Sequence, residues 1–485
     1  MMIKNKFQID YGNRKNGRVL LLVPLLLISL LFVGACGSNG NTVELSEEEK
    51  KADAILAEMK KEADALYPDT VPYGIIDWGA DSVYHKGLYN FCKSLPKGGD
   101  LHVHDDKFIP VDKYIDILKN HGGVYINLKD GPEYGYMYVN SQPEGTVLLN
   151  DALEQGLLTD EDLLEILVMS EKDVANGRWT SFENIFSTLL DISGNAEMIE
   201  DIYEEGFRNC CENKIYLLET RVIFVTDDDA ENAKILNAIR NAYYRVKAEC
   251  PDFVVRVIGA TGKNDFFQLD QAFETLRSVI RLSKTIKDEY EQENPKDFII
   301  GLDLVNEEDS SKSLEEYIDF FDSDEVKKSG LKLFLHAGES LRMDNVDVNY
   351  AHRLGAVRVG HAFNLYRFPE LMEKYKEDNI AIEVCPISNY WLGYTSDLRL
   401  HPGYTYLQAG IPVVICSDDG TFLTKMPLVD DFYAVILSWD LGIGDIKKLC
   451  RNAIEYSGLP EEDKAVIMNK WEKDWEEYIS DFVHE

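Results

Sequence analysis

The sequence predicts an α/β fold: a (β/α)8 TIM-type barrel with an N-terminal helical segment and a large helical insertion after the first strand. Three observations carry this expectation. From residue 97 onward, eight short apolar or β-branched runs alternate with helical patterns. Reactive side chains stand where several of these runs end, as the mouth of such a barrel requires. The chain of 485 residues, 45% of them hydrophobic, supplies a core large enough for one big barrel, and it shows no low-complexity tract or internal repeat.

The first 36 residues read as a separate object. Lys4, Lys6, Arg14, Lys15 and Arg18 precede the apolar run VLLLVPLLLISLLFV (Val19 to Val33), which ends in GACGSNG. A basic region, a short apolar stretch and small residues make an export signal, and the run is short for a spanning helix. VGAC, ending at Cys36, resembles a bacterial lipoprotein signal, in which that cysteine is lipidated and becomes the new N-terminus. The expectation is an exported protein, lipid-anchored to a bacterial membrane.

Residues 37–95 are expected to hold a tether and N-terminal helices. Ser46 and Glu49 have capping-box spacing, and Ala52, Ile55, Leu56, Met59, Ala63 and Leu66 share one helical face. That face would dock on the body or on a second copy. The barrel occupies 96–485. Its strands are expected near Leu101–Val103, Ile215–Glu219, Phe253–Gly259, Phe298–Val305, Leu331–His336, Val357–Gly360, Ile380–Val384 and Pro412–Cys416. Helices are expected over Glu231–Ala248, Asp270–Asp288 and Leu314–Lys328. About a hundred residues, 107–213, separate the first two strands and read as largely helical, long enough for a functional insertion on the mouth.

Charge and cysteine content exclude some classes. Basic residues number 50 against 86 acidic ones, and residues 1–36 hold five of the former and one of the latter. So acidic a surface repels nucleic-acid polymers and polyphosphates, while a neutral or cationic small molecule remains compatible. Seven cysteines follow Cys36 without CxxC spacing, which argues against a disulfide framework or a thiolate metal site. Cys385 and Cys416 end apolar runs and read as buried thiols. GATGKND is too short between its glycines for a phosphate loop, and no GxSxG elbow is present.

The chemistry gathers at the strand ends. LHVHDD places His102 and His104 on one side of the first strand, although the chain has only nine histidines. His336 ends the fifth strand in LFLHAGES, three residues before Glu339. His361 ends the sixth, and Asp418 and Asp419 follow the eighth. Singly, each has a bland reading: a hydrogen-bonded loop pair, a core histidine, a helix cap. Together they converge on one mouth. Three imidazoles and a carboxylate (His102, His104, His336, Asp418) suit Zn²⁺ with a position left for water, whose pKa the metal lowers toward neutrality to give hydroxide. His361 is placed to orient that water or take its proton, and Glu339 to act as an acid if burial raises its pKa. Asp419 would hold a substrate nitrogen or the water. Such a set hydrolyses a polarised C–N bond.

KGGDLHVHDD, GLDLVNEED, LFLHAGES, RVGHAF, IEVCPISN and VVICSDDG resemble, in order, the motifs of the adenosine deaminase family. GRWTSFENIF, IYLLETR and TSDLRLHP are similar to its secreted, growth-factor-related branch, and together these motifs span about residues 90–460. The resemblance implies one zinc ion per chain and conversion of adenosine, and of 2′-deoxyadenosine, to inosine or deoxyinosine and ammonia. It implies His102, His104, His336 and Asp418 as ligands, Glu339 as the proton donor to the purine, and His361 and Asp419 as holders of the attacking water, with Asp419 also near the base. Asp106 matches a sugar-contacting aspartate and Trp179 an aromatic covering the nucleoside. The branch also implies a homodimer through N-terminal helices. Three positions depart from the pattern: Asn306 and Ala362 where glycine is usual, and Gly420 where proline is usual. All three flank the expected base pocket, so a related aminohydrolase acting on adenine, a modified adenine nucleoside or a pterin is the alternative. A surface lipoprotein that binds nucleosides or metal without turnover is a third reading.

Overall fold

In the computed structural model, the structure describes residues 44–66, 85–170, 172–173, 177–264 and 266–484. The export signal and Cys36 lie outside these. Eight parallel strands form one sheet: β1 (Gly98–His104), β2 (Ile215–Ile223), β3 (Val254–Gly262), β4 (Ile299–Val305), β5 (Lys332–Ala337), β6 (Arg358–His361), β7 (Ala381–Val384) and β8 (Val413–Ile415). They pair in sequence order, as successive right-handed βα units do. A parallel bridge between Val103 and Asp418 closes the ring, with the Asp418 amide donating to the His102 carbonyl at 2.9 Å. The expected (β/α)8 barrel is therefore present, and each expected strand is found.

Two strands run further than the apolar pattern indicates. β2 continues through Glu219, Thr220 and Arg221, and β3 through Thr261, because the barrel's interior is polar rather than aliphatic here. Arg221 and Arg358 are fully buried among Glu219, Asp303 and Glu383, so charged residues occupy strand positions that normally hold Val or Leu. Gly360 permits this packing next to His102, whose Cε1 would lie 2.9 Å from a Cβ on that residue.

The N-terminal helix α1 (Glu47–Asp64) starts at the expected capping box: Ser46 Oγ accepts from the Glu49 amide at 3.2 Å, and Glu49 accepts from the Ser46 amide at 2.8 Å. Glu49 also accepts from Lys447 Nζ at 2.6 Å and from Trp475 Nε1 at 2.9 Å, which ties α1 to the body. Ala52, Leu56 and Ala63 are buried on this same chain, so the apolar face that would have joined a second copy is already covered, whereas Leu66 remains exposed.

The insertion is mostly helical, as expected, but not wholly so. A three-stranded antiparallel sheet of Val124–Asn127, Met137–Val139 and Thr146–Leu148 sits within it. Its strands, three or four residues each and separated by turns carrying glycine and charge, are too short to give a periodic signal. The helices that matter for the mouth are α2 (Arg178–Thr188) and α3 (Ala196–Glu212); α4 (Asp229–Glu249) follows β2. The expected helix over 314–328 is broken into three short turns, the last starting where the Ser323 hydroxyl caps the Val326 amide. No helix among the described residues is long and apolar enough to cross a membrane.

Candidate active site

The C-terminal ends of β1, β5, β6 and β8 bring His102, His104, His336, His361, Asp418 and Asp419 together, each at most 5% exposed. His102 Nε2 and His104 Nε2 are 3.2 Å apart, as are His104 Nε2 and His336 Nε2. Asp418 Oδ1 lies 3.1 Å from His104 Nε2 and 3.6 Å from His102 Nε2. Four ligand atoms about 2.0–2.2 Å from one tetrahedral centre stand about 3.3–3.6 Å apart, so this spacing is that of a coordination shell.

Proton bookkeeping supports the same reading. His102 Nδ1 faces Glu383 Oε2 at 2.8 Å and His336 Nδ1 faces Asp303 Oδ2 at 2.7 Å. Each Nδ1 therefore carries a proton donated to a carboxylate, which leaves a lone pair on each Nε2. Burial, with the charge of Arg221 added for His102, holds both imidazoles below their ordinary pKa, so they stay neutral. Asp418 Oδ1 has no hydrogen-bond partner. Although burial alone would raise its pKa, His104 at 3.1 Å and the other surrounding imidazoles hold Asp418 below the carboxylate range. Converging lone pairs and an unpaired buried anion repel one another unless a cation sits among them. Cys385, also nearby, is a poorer donor because burial keeps its thiol protonated. The residues fit a divalent metal.

Glu339 follows β5 and is 3% exposed. Burial, reinforced by Asp418 and Glu308, raises its pKa well above the usual range, so it is a protonated acid. Its Oε1 accepts from Asn389 Nδ2 at 3.0 Å, and Asn389 Oδ1 faces His401 Nε2 at 3.0 Å. His401 Nδ1 accepts from the Gly403 amide, so its Nε2 is the donor to Asn389. Asn389 is thereby oriented, and its amino group also faces His361 Nδ1 at 3.2 Å. That bond assigns the proton of His361 to Nε2, which points toward Asp418 Oδ2 at 3.9 Å. Asp419 is buried with Oδ1 unpaired, and burial beside Asp418 raises its pKa strongly.

These groups open into a cavity of about 770 Å³, whose lining includes His104, His336, Glu339, His361, Asp418 and Asp419. Trp179 on α2 and Asn306 after β4 also line it. Trp179 Nε1 donates to Tyr394 Oη at 3.0 Å, which fixes the indole as wall rather than core. Asn306 has φ +99° and a buried Oδ1 without partner, so asparagine does take the left-handed backbone expected of it. Asp106 lies apart from the cavity lining. It is fully buried, and its carboxylate is occupied by Tyr114 Oη at 2.6 Å, Ser193 Oγ at 3.2 Å and Lys107. The turn after His104 directs its neighbour Asp105, at φ +42°, to the cavity instead. Asp105, Asp303, Glu383 and Asn389 are the site residues that sequence reasoning passes over. Each lies inside a motif already singled out, but nothing in one dimension shows that Asp303 and Glu383 grip different ligands from inside the barrel.

The adenosine deaminase family model matches residues 149–474, about two thirds of the chain. Among curated relatives, the chain is 25% identical over 472 residues to adenosine deaminase 2 of Dictyostelium discoideum, covering 92% of this chain and 84% of that protein. It is 28% identical over 482 residues to adenosine deaminase of Aedes albopictus, covering 92% and 86%. To human adenosine deaminase 2 it is 27% identical over 479 residues, covering 91% and 89%. Solved structures show the same fold at low identity. An amidohydrolase from Burkhoderia ambifaria with bound Zn superposes with TM-score 0.61 at 16% identity, covering 86% of this chain and 99% of that one. Adenine deaminase from Arthrobacter aurescens gives 0.57 at 16%, covering 80% and 100%. The chain belongs to the adenosine deaminase family and is a hydrolase of the C–N bonds of cyclic amidines.

Proposed function

We propose that the protein is a zinc-dependent deaminase of adenosine and 2′-deoxyadenosine, releasing inosine or deoxyinosine and ammonia. The observation that carries this is the convergence of three imidazoles and the Asp418 carboxylate at the base of one cavity, beside a protonated Glu339. His102, His104, His336 and Asp418 would hold the zinc, which when bound acidifies water to hydroxide near neutral pH. The Burkhoderia ambifaria relative in fold carries Zn, which supports that choice of metal. Glu339 donates its proton to a ring nitrogen of the purine, making the amino-bearing carbon electrophilic. His361, with its proton on Nε2, and Asp419 are placed to hold and orient the attacking water. Trp179 covers the nucleoside, and Asp105 is the carboxylate available to the sugar.

A second reading concerns the base. Asn306 lines the cavity where the family has glycine and its Oδ1 has no hydrogen-bond partner, which favours a polar contact to a modified adenine nucleoside, or to adenine. Adenosine monophosphate fits less well: apart from histidines, Lys234 is the single basic residue of the lining, set against Asp105, Glu183 and Glu231.

Ammonia release from the zinc-loaded full chain, with adenosine, 2′-deoxyadenosine, adenine, N6-methyladenosine and adenosine monophosphate side by side, tests this. Turnover of adenosine is expected; turnover of another member alone would move the specificity, and adenosine binding without any ammonia release would overturn the proposal. Glu339→Gln is expected to lower kcat by about 10²–10⁴ with zinc content unchanged. We also infer export and lipidation at Cys36. Incorporation of a fatty-acid label that Cys36→Ala abolishes would support it, and equal labelling of the variant would sink it.

A further inference from the structure

Of the seven described cysteines, five are buried and two, Cys211 and Cys250, are partly exposed. Those two lie against each other. Cys211 is in the last turn of α3, and Cys250 ends α4. The two helices precede and follow β2 and pack side by side with the same direction. A ladder of polar contacts sets their register: Asn241 to Glu200 at 3.1 Å, Arg245 to Glu204 at 2.6 Å and Arg208 to Glu249 at 3.2 Å. Each rung joins residues 41 apart in sequence, so the C-terminal ends of the two helices lie together, with Cys211 one turn past Arg208 and Cys250 next to Glu249. There the side chains of Cys211 and Cys250 interact with each other, while Cys210 turns into the core at 2% exposure.

We propose that Cys211 and Cys250 are a disulfide-forming pair, a thiol modification site that staples α3 to α4. The oxidant is a small disulfide of the oxidised-glutathione class. The Cys250 thiolate attacks one sulfur of that disulfide, releasing one small thiol and leaving a mixed disulfide. Cys211 then loses its proton and attacks the Cys250 sulfur, forming the protein disulfide and expelling the second small thiol. Two protein thiols are oxidised and one small disulfide is reduced. The order of attack follows from the interaction between the two thiols, which lowers the pKa of Cys250 to about 7 and raises that of Cys211. Both residues are partly exposed, unlike the five buried cysteines.

The staple lies at the C-terminal ends of the helices, on the face of the barrel opposite the mouth. Their N-terminal halves supply Ile199, Tyr203, Ile235 and Ile239 to the cavity lining. The disulfide therefore acts on the stability of this wall and leaves turnover unchanged.

The reduced full chain, incubated with oxidised glutathione, alkylated in denaturant and mapped by mass spectrometry, decides the matter. The expected product is a peptide pair joined through Cys211 and Cys250, with Tm raised by about 3–8 °C and restored by dithiothreitol. Cys250→Ser is expected to lose both the link and the shift while retaining deaminase turnover, and Cys210→Ser to keep the link. Alkylation of both cysteines, separate glutathione adducts on each, or a link that runs through Cys210 would overturn the proposal.

Discussion

Asp303 accepts from Arg221 Nε at 2.7 Å and from His336 Nδ1 at 2.7 Å. Burial by itself would raise its pKa, but His336 and Arg221 hold it below the carboxylate range. Its charge thus serves the ligand above it. Asp303→Asn keeps the shape but loses that charge, and is expected to weaken zinc affinity by about 10–100-fold in chelator competition. Unchanged affinity would make Asp303 a packing residue only. Gly420 illustrates how a family departure is absorbed locally. A Cβ there would meet Pro427 Cβ at 2.6 Å, so the ring of Pro427 fills the space that the family's proline would need. Gly420→Pro is expected to cost about 1–3 kcal/mol in denaturant unfolding, and Pro427→Gly to recover part of it. Strain also concentrates here: among the described residues, Asp105, Asn306, His361, Ala362 and Asp418 are five of the ten non-glycine residues with positive φ.

At the level of elements, α1 depends on one side chain. Glu49 closes the capping box and also receives Lys447 and Trp475. Burial pushes its pKa up, but the hydrogen bonds from Lys447, Ser46 and Trp475 outweigh this and leave it lowered. A carboxylate depressed in the folded state contributes stability above its unfolded pKa and loses it as pH falls through the folded one. Amide exchange across 47–64 is therefore expected to accelerate in acid before exchange in the barrel strands does, and Glu49→Gln to show that acceleration already at neutral pH. Much at this scale was legible in the chain. The strands β4, β5, β7 and β8 read clearly because their apolar runs are unbroken. The upper halves of β2 and β3 did not, because Arg221 and Thr261 look like loop residues until the polar barrel interior is known. The small antiparallel sheet was illegible because three- and four-residue strands carry no period. At the site, the cluster of histidines and aspartates at the strand ends was legible from type and spacing, whereas Asp106 and Asp105 could not be told apart without the sharp turn that separates them.

For the molecule as a whole, Glu219, Asp303 and Glu383 outnumber Arg221 and Arg358 beneath the histidines, and the buried interior carries an excess negative charge that a divalent ion would offset. Chelation is expected to lower Tm by several degrees, since a ligand at about 100 times its Kd contributes about 2.7 kcal/mol. A melting curve indifferent to chelator would contradict a resident metal. The ring also has a seam. β1 and β8, more than three hundred residues apart, meet through one bridge and the Asp418 amide bond to His102, and those same residues carry ligand atoms on its two sides. A cation held between them would fasten the barrel like a clasp. Loss of the ion would then be felt first as a gap in the wall, before the rest of the ring gives way.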